Sequence, residues 1–300
     1  MAKAEKAMGH LGSMLSGCLM AGVSNLEGVR GFRKWQWLFI TNTVVSLPIA
    51  LCGFLFMPDV PETTRAWYLT PAEIQLAQRR MALEGRAQRA PYTRAKFRKI
   101  FSSWHIYALV LLYVVFSNGG ATQPAFALWL KQQGHAVREI NLYPALAEVI
   151  SIVTTLAYAW TSDGVFRGAR WPAMVFSGGV KILAYGSLAA WAIPDGLKWA
   201  SFMLAGFGGG VSGLIFAWAH EICSDDNEER AIVTGAMTEM SHVFQAWLPL
   251  LIWQQVEAPR YPKGYPTLVG IAVLLIATSF ATRALHKREL RRKGPVTSGA

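Results

Sequence analysis

The sequence predicts an all-α polytopic membrane protein with about eight transmembrane helices. Three observations predict it. Only 16% of the 300 residues are charged, while 53% are hydrophobic and twelve are Trp; a soluble domain carries about 25% charged residues. The apolar residues fall in long uninterrupted runs, without the alternation that marks strands. The Lys and Arg residues that make the net charge +11 cluster between those runs, which is a topology signal in a membrane chain. That clustering argues against nucleic acid as a partner, because no basic helix interleaved with aromatics is present.

A membrane-crossing helix needs about 20 apolar residues. The candidates are 8–26, 36–56, 105–128, 144–161, 172–193, 199–219, 231–253 and 266–283. The first follows "MAKAEKAMGHLGSMLSG", which looks like a signal peptide but continues as a run rich in Gly and Ser. Small residues let helices pack closely in lipid, so a first membrane helix is the better reading. An even number of spans places both termini on one side. That side collects nineteen of the 29 Lys and Arg residues, the other side eight. The positive-inside rule makes it cytoplasmic, in a multi-pass protein expected in the plasma membrane.

Residues 1–56 hold two spans and 57–104 form a long basic cytoplasmic linker. Six further spans fill 105–283, and 284–300 is a basic tail. Within the linker Thr70-Pro71-Ala72-Glu73 reads as a capping box with Pro at the first helical position. Ile74, Leu76, Ala77, Met81 and Leu83 then give an amphipathic surface helix.

Cys18, Cys52 and Cys223 lie in or beside apolar runs with no CxxC spacing, so neither a disulfide framework nor a zinc site is expected. "AWAHEICSDDNEERAIVTGAM" concentrates five of the eighteen acidic residues within nine positions. His220, Glu221 and Cys223 lack a second ligand pair at a zinc spacing. The stretch reads either as a solvated turn whose carboxylates sit at a helix N-terminus, or as a gate. In the gate, Glu228 or Glu229 pairs with Arg230 or with the Arg167/Arg170 turn. No P-loop, GxSxG, HExxH or EF-hand occurs, so neither an enzyme, a catalytic residue nor a cofactor is expected. "GFGGGVSG" lies inside a span and reads as a close-packing surface.

Four features inside the spans carry functional expectations. In "SNGGATQPAFALW", Pro124 with Gly119 and Gly120 should bend or break the helix; Asn118 and Gln123 are then substrate contacts or hinge hydrogen bonds. Thr238, His242 and Gln245 form one helical stripe, with Glu239 beside it. Thr238 and Gln245 are substrate-contact candidates; Glu239 and His242 are candidates for proton coupling, or for a simple helix–helix tie. Trp218 either packs or lines the cavity. Lys181 is a charge inside a span, expected to snorkel, to form an ion pair or to bind a carboxylate.

Several stretches carry a family resemblance. "KWQWLFITN", "PDVPETTRAWYLTPAE", "FALWLKQQG", "REINLYPALAEVISIVTTLAYAWTSD" and "DNEERAIVTGAM…AWLPLLIWQQVEAPRYPKGYP" occur in the order found in the fungal allantoate permease group of the major facilitator superfamily. Within it they resemble the pantothenate and vitamin transporters. The likeness runs from about Lys6 to His286 and begins near that family's fifth helix, so the first four helices would be missing. The resemblance implies the C-terminal six-helix half of an alternating-access symporter. It implies a small organic anion and protons as partners, besides the bilayer. A further helical chain would supply the absent N-terminal half. Asp163 with Arg167 and Arg170 resembles the superfamily's D-x-x-x-R loop motif. Export of a metabolite, and a transport-dead or partner-dependent protein, stand as alternatives.

Overall fold

A computed structural model describes residues 28–61, 63–83, 92–120 and 123–293. It divides into two compact units, with the described residues up to 83 in one and those from 92 onward in the other. Among the described residues there is no strand.

The smaller unit holds α1 (Lys34–Phe56) and α2 (Pro71–Leu83). α1 is apolar on every side, as a lipid-facing helix is. α2 starts as its sequence predicts. The Thr70 backbone N–H donates to Glu73 Oε2 at 2.9 Å, and the Glu73 N–H donates back to Thr70 Oγ1 at 3.4 Å. The Thr70 N–H and the Thr70 hydroxyl, which donates to the same Oε2 at 2.7 Å, hold the Glu73 carboxyl below the ordinary glutamate range.

The larger unit is a helical bundle. Its elements are α3 (Arg94–Ser102), α4 (Trp104–Asn118), α5 (Gln123–Gln132), α6 (Val137–Asp163), α7 (Trp171–Ala190), α8 (Asp195–Ala205), α9 (Val211–Ile222), α10 (Asn227–Ile252) and α11 (Gly264–Lys293). α4 packs on α10 and α11, and α11 also packs on α7. One apolar core joins Leu109, Leu112, Ile215, Trp218, Val233 and Met237. A second, aromatic core joins Phe126, Trp129, Tyr185, Phe202, Tyr261 and Tyr265.

The expected span 8–26 lies outside the described residues; the other seven fall on helices. Among the described residues five helical segments are each long and apolar enough to cross a membrane, α8 and α9 with the turn between them counting as one, or six if α3 and α4, bent by 60° at Ser103, also count as one. α10 is not among them. It has the length, at 26 residues, but Glu239, His242 and Gln245 lower its hydropathy.

Two of the expected spans are broken. The 105–128 span splits into α4 and α5 at Gly119, as the Gly-Gly-x-x-x-Pro spacing predicts. The 199–219 span is interrupted by a 3₁₀ turn over Gly206–Gly208 between α8 and α9. Carbonyls released inside lipid must find donors. Tyr185 Oη donates to the Gly119 carbonyl at 3.1 Å; Ser151 Oγ and Tyr158 Oη donate to the Gly206 and Phe207 carbonyls at 2.6 and 3.1 Å. The glycine run is a close-packing surface: a β-carbon on Gly210 would stand 2.5 Å from the Thr155 Cα.

Candidate functional site

Polar groups that tie helices together gather at one end of the larger unit. Arg170, in the turn between α6 and α7, is a hub. Its Nη1 donates to Asp163 Oδ1 at 2.5 Å and to Ser162 Oγ at 3.1 Å; its Nη2 donates to Glu221 Oε1, in the last turn of α9, at 2.7 Å. The expected Asp163–Arg170 contact is therefore present. Arg167 takes no part in an ion pair among the described residues; it has a positive φ of 49° and an exposed side chain.

The expected partners of Glu228 and Glu229 are corrected. Asp226 caps α10, accepting from the Glu228 and Glu229 N–H groups at 3.1 Å each. That fixes both glutamates in the first turn, facing the start of the bundle. Glu228 then meets Lys96 of α3 at 2.5 Å, and Glu229 meets His105 Nδ1 of α4 at 2.7 Å. Arg230 projects from a different face and donates to Asn227 Oδ1 at 2.5 Å. Arg170 is already occupied by Asp163 and Glu221.

The other nitrogen of His105, Nε2, meets Glu289 of α11 at 2.8 Å, and Trp104 Nε1 donates to the same carboxylate at 3.0 Å. One imidazole thus links three helices. Cys223 lies beside it: ligand atoms of His105, Cys223 and Glu229 fall within 4.8 Å of one another, all three residues buried. A nitrogen, a thiol and a carboxylate are a chemically suitable donor set for zinc, which sequence spacing did not predict. In this geometry both imidazole nitrogens are satisfied by carboxylates instead. Burial acts against ionising Asp226, but the Glu229 N–H and Lys96 outweigh it and hold its carboxyl below the ordinary range.

The residues expected to touch substrate do not converge. Asn118 is buried and its Nδ2 donates to the Val114 carbonyl of its own helix. Trp218 is packed in the first core, and its Nε1 donates to His286 Nδ1 at 3.3 Å. Thr238 donates to the Thr234 carbonyl one turn back, as hydroxyls in membrane helices do. The side chain of Gln123 lies outside the described residues. Gln245 reaches across to Ser117 Oγ of α4 at 2.5 Å. Glu239 and His242 are exposed on α10, and no bond joins them among the described residues. Val233, Met237 and Ser241 form the buried face of that helix.

A cavity of about 160 Å³ opens between the two helix breaks. Gly120, Pro144, Glu148, Ser151, Gly206 and Gly209 are among its lining. Asn118, Trp218, Thr238 and Gln245 do not line it. Sequence reasoning passed over Glu148, although a carboxylate in the middle of "YPALAEVIS" carries the same signal as Glu239.

A family model described as Major Facilitator Superfamily matches residues 6–249. The pantothenate transporter liz1 of Schizosaccharomyces pombe is 32% identical over 96% of this chain and 56% of its own length. The pantothenate transporter FEN2 and the Vitamin H transporter of Saccharomyces cerevisiae are 28% and 27% identical, each over 94% of this chain, and over 57% and 49% of their own lengths. The chain thus spans about half the length of the curated relatives it matches. No solved structure matches it significantly. With its helices crossing the membrane several times and that model covering most of its length, the chain belongs to the Major Facilitator Superfamily.

Proposed function

We propose that this chain supplies the C-terminal half of an alternating-access transporter for a small organic anion of the pantothenate or vitamin class, driven by protons. The observation that carries the reading is the face of α10. Glu239, His242 and Gln245 lie at mid-helix and are exposed from the bundle. A carboxylate and an imidazole at that depth cannot face lipid without a cost of about 2.5–3.5 kcal/mol for the carboxylate alone. They therefore face a water-filled path or a second set of helices, which is where a transporter of this family's architecture would place its substrate route.

In this reading Glu239 and His242 exchange protons with that path as access alternates, and Gln245, held by Ser117, presents an amide to substrate. The Arg170 hub and the Lys96 and His105 pairs form the cytoplasmic gate. The distribution of basic residues supports two cytoplasmic termini, and the plasma membrane is the location this reading assigns.

The test is uptake of radiolabelled pantothenate by yeast lacking its own carrier and expressing the chain. Uptake that collapses with a protonophore, and with Glu239→Gln, is expected. Uptake equal to that of empty cells rejects the reading for this chain, and uptake indifferent to both treatments rejects the proton role.

A further inference from the structure

We infer that Lys181 is the counter-charge for the carboxylate of an anionic ligand bound between the two helix breaks; this rests on the organic-anion reading above. Lys181 is the eleventh of twenty residues in α7, so it lies near the middle of a helix about 30 Å long. A lysine side chain is too short to snorkel from there to the membrane surface. It is 2% exposed and makes no ion pair or hydrogen bond among the described residues. Its Nζ lies over the Phe116 ring, 5.1 Å from the ring centroid. Arg283, the other basic residue inside an expected span, differs, stacking on Trp171 at 4.0 Å.

Two glycines adjoin the ammonium. A β-carbon on Gly119 would sit 3.4 Å from Nζ, and one on Gly208 would sit 2.9 Å from it. The next residue, Gly120, lines the cavity, and so do Gly206 and Gly209 around Gly208. The lysine thus stands beside the glycine part of the cavity lining, with Glu148 and Ser151 among the residues of the rest of that lining. The C-terminal end of α4 contributes a partial negative charge here, yet among the described residues no carbonyl accepts a hydrogen bond from Nζ. An unpaired buried cation next to a cavity is the arrangement that a carboxylate ligand completes.

The test uses the whole chain in lipid nanodiscs, with pantothenate and its neutral alcohol analogue pantothenol as probes, in binding and thermal-melting experiments on wild type and Lys181→Met. Wild type should bind pantothenate at least tenfold more tightly than pantothenol. The variant should lose that discrimination while melting no lower than wild type, because methionine removes a buried charge at nearly constant volume. A variant that still discriminates overturns the role of Lys181 and leaves the transport reading standing. A variant that melts lower also overturns it, since the lysine is then a structural tie. Equal binding of both probes by wild type overturns the anion site, and binding of neither overturns both this inference and the substrate class.

Discussion

Gly208 and Lys181 are fitted to each other: a β-carbon on Gly208 would stand 2.1 Å from Lys181 Cε. No two non-bonded carbons approach so closely, so Gly208→Ala must displace either the lysine or the 3₁₀ turn. Overpacking of this kind costs about 1–3 kcal/mol. Shortening the lysine removes the conflict. Lys181→Ala in the Gly208→Ala background should recover most of the loss, giving a coupling on the order of 1 kcal/mol or more. Thermal melting of the four members of the cycle measures it; strictly additive effects would show that the turn, not the lysine, yields.

His105 is held between Glu229 at 2.7 Å and Glu289 at 2.8 Å. Removing the imidazole leaves two carboxylates facing the same gap. Breaking a buried pair by deleting one partner costs about 3–5 kcal/mol, and Glu289, at 22% exposed, places this case at the lower end. His105→Ala should therefore lower stability by on the order of 3 kcal/mol. Glu229→Gln should restore part of it in the double variant, because one of the two stranded charges is gone. Denaturation of the single and double variants decides the matter. A double variant less stable than His105→Ala would mean that Glu229 acts by some other contact.

The sequence made local features readable and long-range pairings invisible, for a physical reason. The capping box at Thr70 and Glu73, the break at Gly119 and the cap at Asp226 depend on neighbours within a few residues, so the local pattern contains them. So does the contact of Asp163 with Arg170, whose residues flank one short turn. By contrast, Lys96 meets Glu228 across 132 positions and His105 meets Glu289 across 184. Nothing in either segment marks its partner. Glu221 belongs to an acidic cluster that the sequence displays, but its pairing with Arg170 needs α9 to end beside the α6–α7 turn. Helix faces were the other blind spot. The packing of α9 and α4 turns Trp218 and Asn118 inward and leaves Glu239 and His242 uncovered, and a sequence carries no mark of which helix face will be covered.

Arg170 spans two carboxylates, and arginine's planar fork does this where lysine's single ammonium cannot. Arg170→Lys should keep a contact to either Asp163 or Glu221, not to both. Asp163 and Glu221 are nearly half exposed, so solvent screening limits the stability at stake to about 1 kcal/mol. The larger effect falls on coupling between elements: cysteines placed at the ends of α6 and α9 should cross-link less efficiently in Arg170→Lys than in wild type. Unchanged cross-linking yields would show that the hub does not hold these ends together.

Asp226 ties the start of α10 through two backbone N–H groups and through Lys96, whose ammonium lies 3.2 Å from Oδ1. Its carboxyl is held below the ordinary aspartate value of 3.8. A group whose pKa is lowered on folding stabilises the fold above its unfolded value and loses that contribution as pH falls through its folded value. The Asp226 contribution should therefore be complete at pH 7 and fade only in acid, below about the ordinary aspartate range. Asp226→Ala removes both the cap and the Lys96 contact, and loss of an N-cap alone costs about 1 kcal/mol. The melting difference between wild type and Asp226→Ala should be full at pH 7 and 5 and smaller at pH 3. Asp226→Asn, which keeps a capping oxygen without the charge, should lose less at pH 7 and show little change with pH. A wild-type advantage over Asp226→Ala that grows in acid would contradict the assignment, because it would require a carboxyl held above its ordinary value.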